Sequence, residues 1–346
     1  MKHSGPAGAS FIHLRQGPQP DRAVAAWPFL FVAFSLLQFA SVAQVSNIYS
    51  TGFELSEDFD FRDTLIGRGC TPAGKQCWTG TDSHANGIVA DYFFPEEQFG
   101  QQQASIGRFV LTNETGTLNV WRPLNFDPVA AALPIVTFYV TMSIYDSRAV
   151  TNRDCFRWSI YNTNNGGERL FSIDFDNTTT EINYELDDER FLFTDKLFQN
   201  GGQYDLVVIM NFADNLWSAW LNDFQIVDSE QMTTKGLALN LGDIDAVWVN
   251  YTLGKPGDNF MVFDNYAVTA EPYPFRLDPV GRLSNGTFLL RLTGEAERQY
   301  AIEVSEDLRS WSLLKTKTVD ADGTVIVDDP AASDYDRSFY RARLVL

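Results

Sequence analysis

The acidic run ELDDE sets Glu185, Asp187 and Glu189 at alternate positions. On a β-strand that alternation places all three on one face. Two carboxylates so placed could cleave a glycosidic bond, one Glu attacking and the other donating a proton, with the Asp tuning both pKa values. Retaining hydrolysis needs the pair about 5 Å apart, which side chains leaning inward could reach from positions about 13 Å apart along a strand. Two features point the other way. Asp188 stands where an apolar residue should anchor the back of the strand, and DDERF reads as a polar strand end or hairpin tip. A solvated acidic turn is the competing expectation.

Two further carboxylates follow a Phe at the end of an apolar alternation, in DFDN (174–177) and VFDN (262–265). Asp176 precedes NTTT and is expected to close an Asx-type turn. Asp264 has Glu54 near the other end of the same region, and the two could join backbone carbonyls around a structural Ca²⁺ if the first and last strands pair. The simpler expectation is a turn or bulge at Asp264 and Asn265. Trp78, Trp121, Trp158, Trp217, Trp220, Trp248 and Trp311 make tryptophan abundant. Exposed rings of this kind stack on sugar faces, and Trp220, Tyr139 and Tyr161 are the candidates for that role. On one strand Trp217 and Trp220 face opposite ways, so at most one of them points outward.

The N-terminus carries scattered Lys2, Arg15 and Arg22, the apolar run AVAAWPFLFVAFSLLQFA (23–40), and small residues at Ser41 and Ala43. That order predicts a secretory signal over 1–43; an uncleaved anchor is the alternative, since the run approaches the length that spans a bilayer. Its removal would take the net charge from −19 to −21 and leave a mature chain with no membrane-spanning stretch. So acidic a surface repels nucleic acid and anionic lipid. A neutral glycan or Ca²⁺ suits it better.

His84 alone would remain of three histidines. Zinc sites built from several imidazoles are thereby excluded, and a Ser-His-Asp or Cys-His arrangement would have to use His84, which lies in the polar stretch GTDSHANG. Among the cysteines, Cys70 and Cys77 are expected to pair across CTPAGKQC, leaving Cys155 over; spacing alone leaves a Cys77–Cys155 pairing open.

These groups are set in a chain whose dominant signal is period two. In IVTFYVTMSIY (135–145), Val136, Phe138, Val140, Met142 and Ile144 point one way, and hydroxyl-bearing residues point the other. Similar runs recur at 155–161, 170–175, 181–186, 203–210, 216–221, 224–227, 246–251 and 260–268, separated by turn clusters such as NTNNGG and KPGDN. No sustained helical stripe appears. The expected fold is all-β: an antiparallel jelly-roll β-sandwich over 44–271, a proline-rich linker at 272–279, and a small C-terminal β-sandwich over 280–346.

The hairpin NLWSAWLNDFQIV after YDLVVIMNF, the opening STGFE and the closing FDNYAVTAEP resemble concanavalin A-like, laminin-G-like jelly rolls. The hairpin turn departs from the usual Asn-Gly, reading Asn222-Asp223. RWSIYNTNNGGERLFSIDFDN through GDIDAVW is similar to a group of exported bacterial proteins of unknown function. The tail, through SEDLRSW and FYRA, resembles a C-terminal β-module common on exported bacterial proteins, which implies display or sorting outside the cytoplasm. The glycoside hydrolases among concanavalin-like sandwiches carry Glu-apolar-Asp-x-Glu, the pattern that ELDDE echoes.

The expected function is that of a secreted or cell-surface, non-catalytic sandwich protein that binds a polysaccharide, a cell-surface glycan or another surface component. A glycoside hydrolase using Glu185 and Glu189, and a purely structural surface protein, are the alternatives.

Overall fold

The computed structural model describes residues 45–345, apart from 71–75, 82–84, 91–92, 95–99, 108–116, 149, 164–166, 253–254 and 336. The expected signal segment and His84 lie outside the described residues.

Two antiparallel sheets face each other. The eight-stranded sheet runs β13 (Phe224–Gln231), β12 (Leu216–Leu221), β11 (Tyr204–Asn211), β6 (Ile135–Tyr145), β15 (Phe260–Glu271), β4 (Gln102–Gly107) and β3 (Asn86–Ala90), with β1 (Ser46–Thr51) also on β15. The seven-stranded sheet runs β10 (Phe191–Leu197), β9 (Glu181–Leu186), β8 (Arg169–Asp176), β7 (Cys155–Tyr161), β14 (Asp243–Val249), β5 (Leu118–Trp121) and β2 (Thr79–Gly80). The pairing of β1 with β15 joins the two ends of this region, as the resemblance implied. Crossovers such as β6 to β11 and β7 to β14 pair strands distant in sequence, which is jelly-roll connectivity.

Large rings fill the space between the sheets. Phe171 of β8 stacks on Trp217 of β12 at 3.9 Å between centroids, and Trp158 of β7 meets Phe138 and Phe263 at 5.2 Å each. Burying rings of this size dominates the stability of a core. Because side chains alternate, fixing these rings inward fixes their neighbours outward. Arg122, one residue past β5, is buried and donates to the carbonyls of Gly69 (2.7 Å) and Gln76 (2.5 Å), pinning the base of the loop that the Cys70–Cys77 disulfide closes. Cys155 is free and buried, and burial pushes its thiol pKa up.

The C-terminal region has its own apolar cluster around Leu292, Tyr300, Ile302 and Val327. One three-stranded sheet holds β16 (Arg276–Arg282), β17 (Phe288–Thr293) and β20 (Thr324–Asp329); the other holds β19 (Ser312–Thr318), β18 (Gln299–Ser305) and β21 (Phe339–Leu344). The stretch expected as a linker at 272–279 is shorter than that, because β16 opens at Arg276. Pro279 is accommodated there on an edge strand, next to a bulge at Gly281. The SEDLRSW motif is a turn staple: Asp307 accepts from the amides of Arg309 and Ser310 at 2.8 Å, and Arg341 of FYRA lies over the Trp311 ring at 4.2 Å.

Truncating Trp217 to Ala should lower the unfolding free energy by about 3–5 kcal/mol, since the Phe171 ring would face a cavity. Chemical denaturation would measure the loss, and a change below about 1 kcal/mol would show that this stack does not hold the sheets together.

Candidate functional site

With Phe156, Trp158 and Ile160 facing the core, β7 turns Cys155, Arg157, Ser159 and Tyr161 outward. By the same alternation β8 turns out Ser172, Asp174 and Asp176, β9 Glu181, Asn183 and Glu185, and β14 Asp243 and Asp245. Register aligns them in rows across the sheet. One row reads Phe191, Glu185, Ser172, Ser159, Asp245, Trp121. The next reads Phe193, Asn183, Asp174, Arg157, Val247, Asn119. Five inter-strand steps make each row about 24 Å long. Each begins at an exposed Phe on the edge strand, and the first carries the half-buried Trp121 next to its far end, where Thr79 of β2 follows.

The polar centre is highly organised. Arg157 pairs with Asp174 and, at 3.1 Å, with Glu185; Arg169 reaches the other oxygen of Glu185 at 2.5 Å; and Ser172 donates to Asp174 at 2.9 Å. Burial raises the Asp174 pKa, and the Arg157 charge pulls against it. Beside this balanced group, Asn119 donates to Asp245 at 2.6 Å, and Asp243 and Asp245 lie within hydrogen-bond reach of each other. Burial pushes Asp243 up to about 6, and burial together with the Asp243 charge carries Asp245 well above the carboxylate range. Burial, followed by the Asp245 charge, also raises the Tyr161 phenol. Ser159, Ser172, Asp174, Asn183 and Asp245 are buried beneath their neighbours, so the groups a ligand's hydroxyls can reach are the half-buried Arg157, Arg169, Glu185, Tyr161 and Asp243, with aromatic rings flanking them.

The residues singled out by sequence fall in several places. Tyr161 belongs to this face, opposite Asp243. Trp220 and Tyr139 lie on the outer face of the other sheet, in the row Gln225, Trp220, Val207, Tyr139, Ala267, so the three aromatics do not form one site. Near Tyr139, Thr141 donates to Asp205 at 2.7 Å.

ELDDE does not continue as a strand. β9 stops at Leu186, and Glu189 takes a left-handed φ of 65° in the turn to β10, so Glu185, Asp187 and Glu189 do not share a face. Glu185 is held by two arginines. Asp187, far from being a solvated turn residue, is buried. It accepts from the Thr233 hydroxyl (2.6 Å), the Thr234 hydroxyl (2.7 Å) and amide (2.9 Å), and the Lys235 amide (2.9 Å), so it clamps one loop to another. Burial opposes ionisation there, and those bonds outweigh it to lower the pKa. Asp176 closes the expected Asx turn, its carboxylate accepting the Thr178 amide at 2.8 Å.

Glu54 and Asp264 both approach Gly52, where an added Cβ would lie 4.0 Å from Glu54 Cγ and 3.7 Å from Asp264 Oδ1. Glu54 Oε1 accepts the amides of Gln101 (2.8 Å) and Gln102 (3.3 Å), and Asp264 Oδ1 accepts that of Asn265 (2.6 Å). Nearby Glu57 accepts from Thr51, Gly52 and Glu54. Glu54 is thus tied to the start of β4, and Glu57 and Asp264 to residues beside them in the chain. Among the described residues no group of three or more His, Cys, Asp or Glu side chains could hold a metal.

Asp243, Asp245 and Arg157 escaped the sequence reading, and Asp174 and Trp121 were noted there without being chosen as site residues. Their signal was present, since DID in GDIDAVW and SIDFD alternate carboxylates with apolar residues as a functional sheet face does. What the sequence could not supply was the cross-strand register that aligns them.

No family model matches the chain, and no curated protein matches it. Among solved structures, a sialidase is similar with a TM-score of 0.38 at 7% identity, over 55% of this chain and 16% of its own. The chain thus spans about a sixth of that protein. A carbohydrate esterase from Shiga toxin-encoding bacteriophage phi24B is similar at 0.41 and 13% identity, over 65% of this chain and 99% of its own. The winged bean acidic lectin is similar at 0.36 and 11%, over 57% and 99%.

The Asp243 carboxyl gives a pH test. The folded protein retains its proton up to about 6, whereas the unfolded chain releases it near 3.8. The folded state therefore loses stability as pH rises through that window, and Asp245 extends the loss upward. Asp243→Asn should gain on the parent between pH 4 and 7, by on the order of 3 kcal/mol. Urea unfolding across that range would measure it; parallel pH curves for parent and variant would refute the assignment.

Proposed function

We propose that the protein is a secreted or cell-surface carbohydrate-binding protein, and that the outer face of the seven-stranded sheet binds an extended glycan without cleaving it. One observation carries this reading: the row from Phe191 through Glu185, Ser172, Ser159 and Asp245 to Trp121 sets an aromatic ring on either side of a polar, pre-paired centre. Sugars offer the same mixture, apolar ring faces edged by hydroxyls. Pre-pairing of Arg157 and Arg169 with carboxylates lowers the entropy lost on binding. The overall acidity favours a neutral chain over a polyanionic one.

Native electrophoresis through gels cast with a panel of neutral polysaccharides tests the proposal. Retardation in at least one gel is expected, and Trp121→Ala should weaken it about tenfold, the loss of one stacking contact of about 1.4 kcal/mol. Trp220→Ala, on the opposite face, should leave it unchanged. The reverse ranking would move the site to the Trp220–Tyr139 row, and absence of retardation throughout would leave a purely structural surface role. A cleared zone would assign cleavage in place of binding alone.

A structural Ca²⁺ between Glu54 and Asp264 is a separate proposal, supported by the pairing of β1 with β15, which brings the two ends of the domain together. It predicts a fall in melting temperature with chelator that is absent in Glu54→Ala.

A further inference from the structure

The charges of the candidate face divide unequally. Arg157 and Arg169 lie on Asp174 and Glu185, so these two cations are matched by two carboxylates. Asp243 and Asp245 form a second carboxylate pair, and no Lys or Arg among the described residues bonds to either. Asp245 is 3% exposed, and its Oδ1 has no N–H or O–H donor against it. Directly across the strand pair stands Ser159, 1% exposed, whose Oγ has the Tyr161 hydroxyl beside it and no other hydrogen-bond partner. Asn119 and Tyr161 add further oxygen at the margins, the first bonded to Asp245 and the second opposite Asp243.

Two adjacent carboxylates, one buried and one half-buried, are unfavourable when both are ionised, and above the pH at which they share a proton they need a neutralising partner. Here the rest of the face has already taken up its own positive charge. The surrounding oxygens are of the kind that hard cations take as ligands.

We propose that Asp243 and Asp245, with Ser159 facing them, form a cation-binding site on the glycan-binding face. Its cation is either a free divalent ion such as Ca²⁺ or the ammonium of an amino sugar within the bound chain. The second source rests on the carbohydrate reading above; the first does not.

The test is thermal melting of the full chain at pH 7.5 and low salt, with CaCl₂ in one arm and a glucosamine oligomer in the other. The N-acetylated oligomer is the uncharged control. Either cation at ten times its Kd should raise the melting temperature by about 3 °C. On the Glu54→Ala background, which removes the other candidate Ca²⁺ pair, the rise should vanish with Asp245→Asn and with the more exposed Asp243→Asn, which guards against a folding defect in the first. It should survive in Glu54→Ala, which separates this site from the other acidic pair. A rise with CaCl₂ identifies a metal site, and a rise with the glucosamine oligomer alone identifies an amino-sugar site. No rise in either arm, or a rise retained in both Asp variants, overturns the proposal. Retardation by a neutral polysaccharide alongside such a failure would leave the carbohydrate reading intact.

Discussion

The layer of rings between the two sheets is the constraint on which the rest depends. Phe171 against Trp217, and Trp158 among Phe138, Phe263 and Tyr266, fix which residues of each strand face inward. A slip of one residue in β7 or β8 would drive Arg157 and Asp174 into the core and put Trp158 and Ile173 in their place. Burying unmatched charge costs several kcal/mol, so the register has one low-energy solution. The polar face is the outward consequence of that apolar layer.

On that face the strands supply spacing and the side chains supply chemistry. Neighbouring strands hold their residues about 4.8 Å apart, so crowded carboxylates must be met by cations or by hydrogen bonds, or else keep a proton. Each solution appears. Arg157 bridges Asp174 and Glu185, Asn119 donates to Asp245, and Asp243 keeps its proton to about pH 6. Asp187, one residue beyond the end of β9, carries the hydrogen-bond solution furthest: the loop at Thr233 to Lys235 wraps it in donors and keeps it charged. Neighbouring acids in one short segment thus do different work because their surroundings differ.

Part of this was legible in the chain. Period two in IVTFYVTMSIY, CFRWSIY and LWSAWL marks strands whose bounds the structure reproduces, because alternation registers burial on one side of a sheet. The loop CTPAGKQC closes as its spacing allowed, and DNTTT makes its Asx turn. Both are local events. β10 was missed because its apolar residues lie exposed at a sheet edge and a bulge after Phe193 breaks the alternation. Trp220 was correctly expected to face away from Trp217, but its separation from Tyr161 by the thickness of the sandwich involves two different sheets.

The sequence by itself determined the all-β architecture, the Asx turn and the inventory of carboxylates and rings, since each depends on residues near one another in the chain, while of the two disulfide pairings it allowed the structure chose Cys70–Cys77. Only the tertiary structure decided which of them meet. Asp245 and Trp121 are 124 residues apart in sequence and directly opposite in register, and Glu185 is held by Arg157 rather than joined to Glu189. Such pairings follow from strand order and register, which arise from packing the whole aromatic layer at once and leave no mark in any short stretch of sequence.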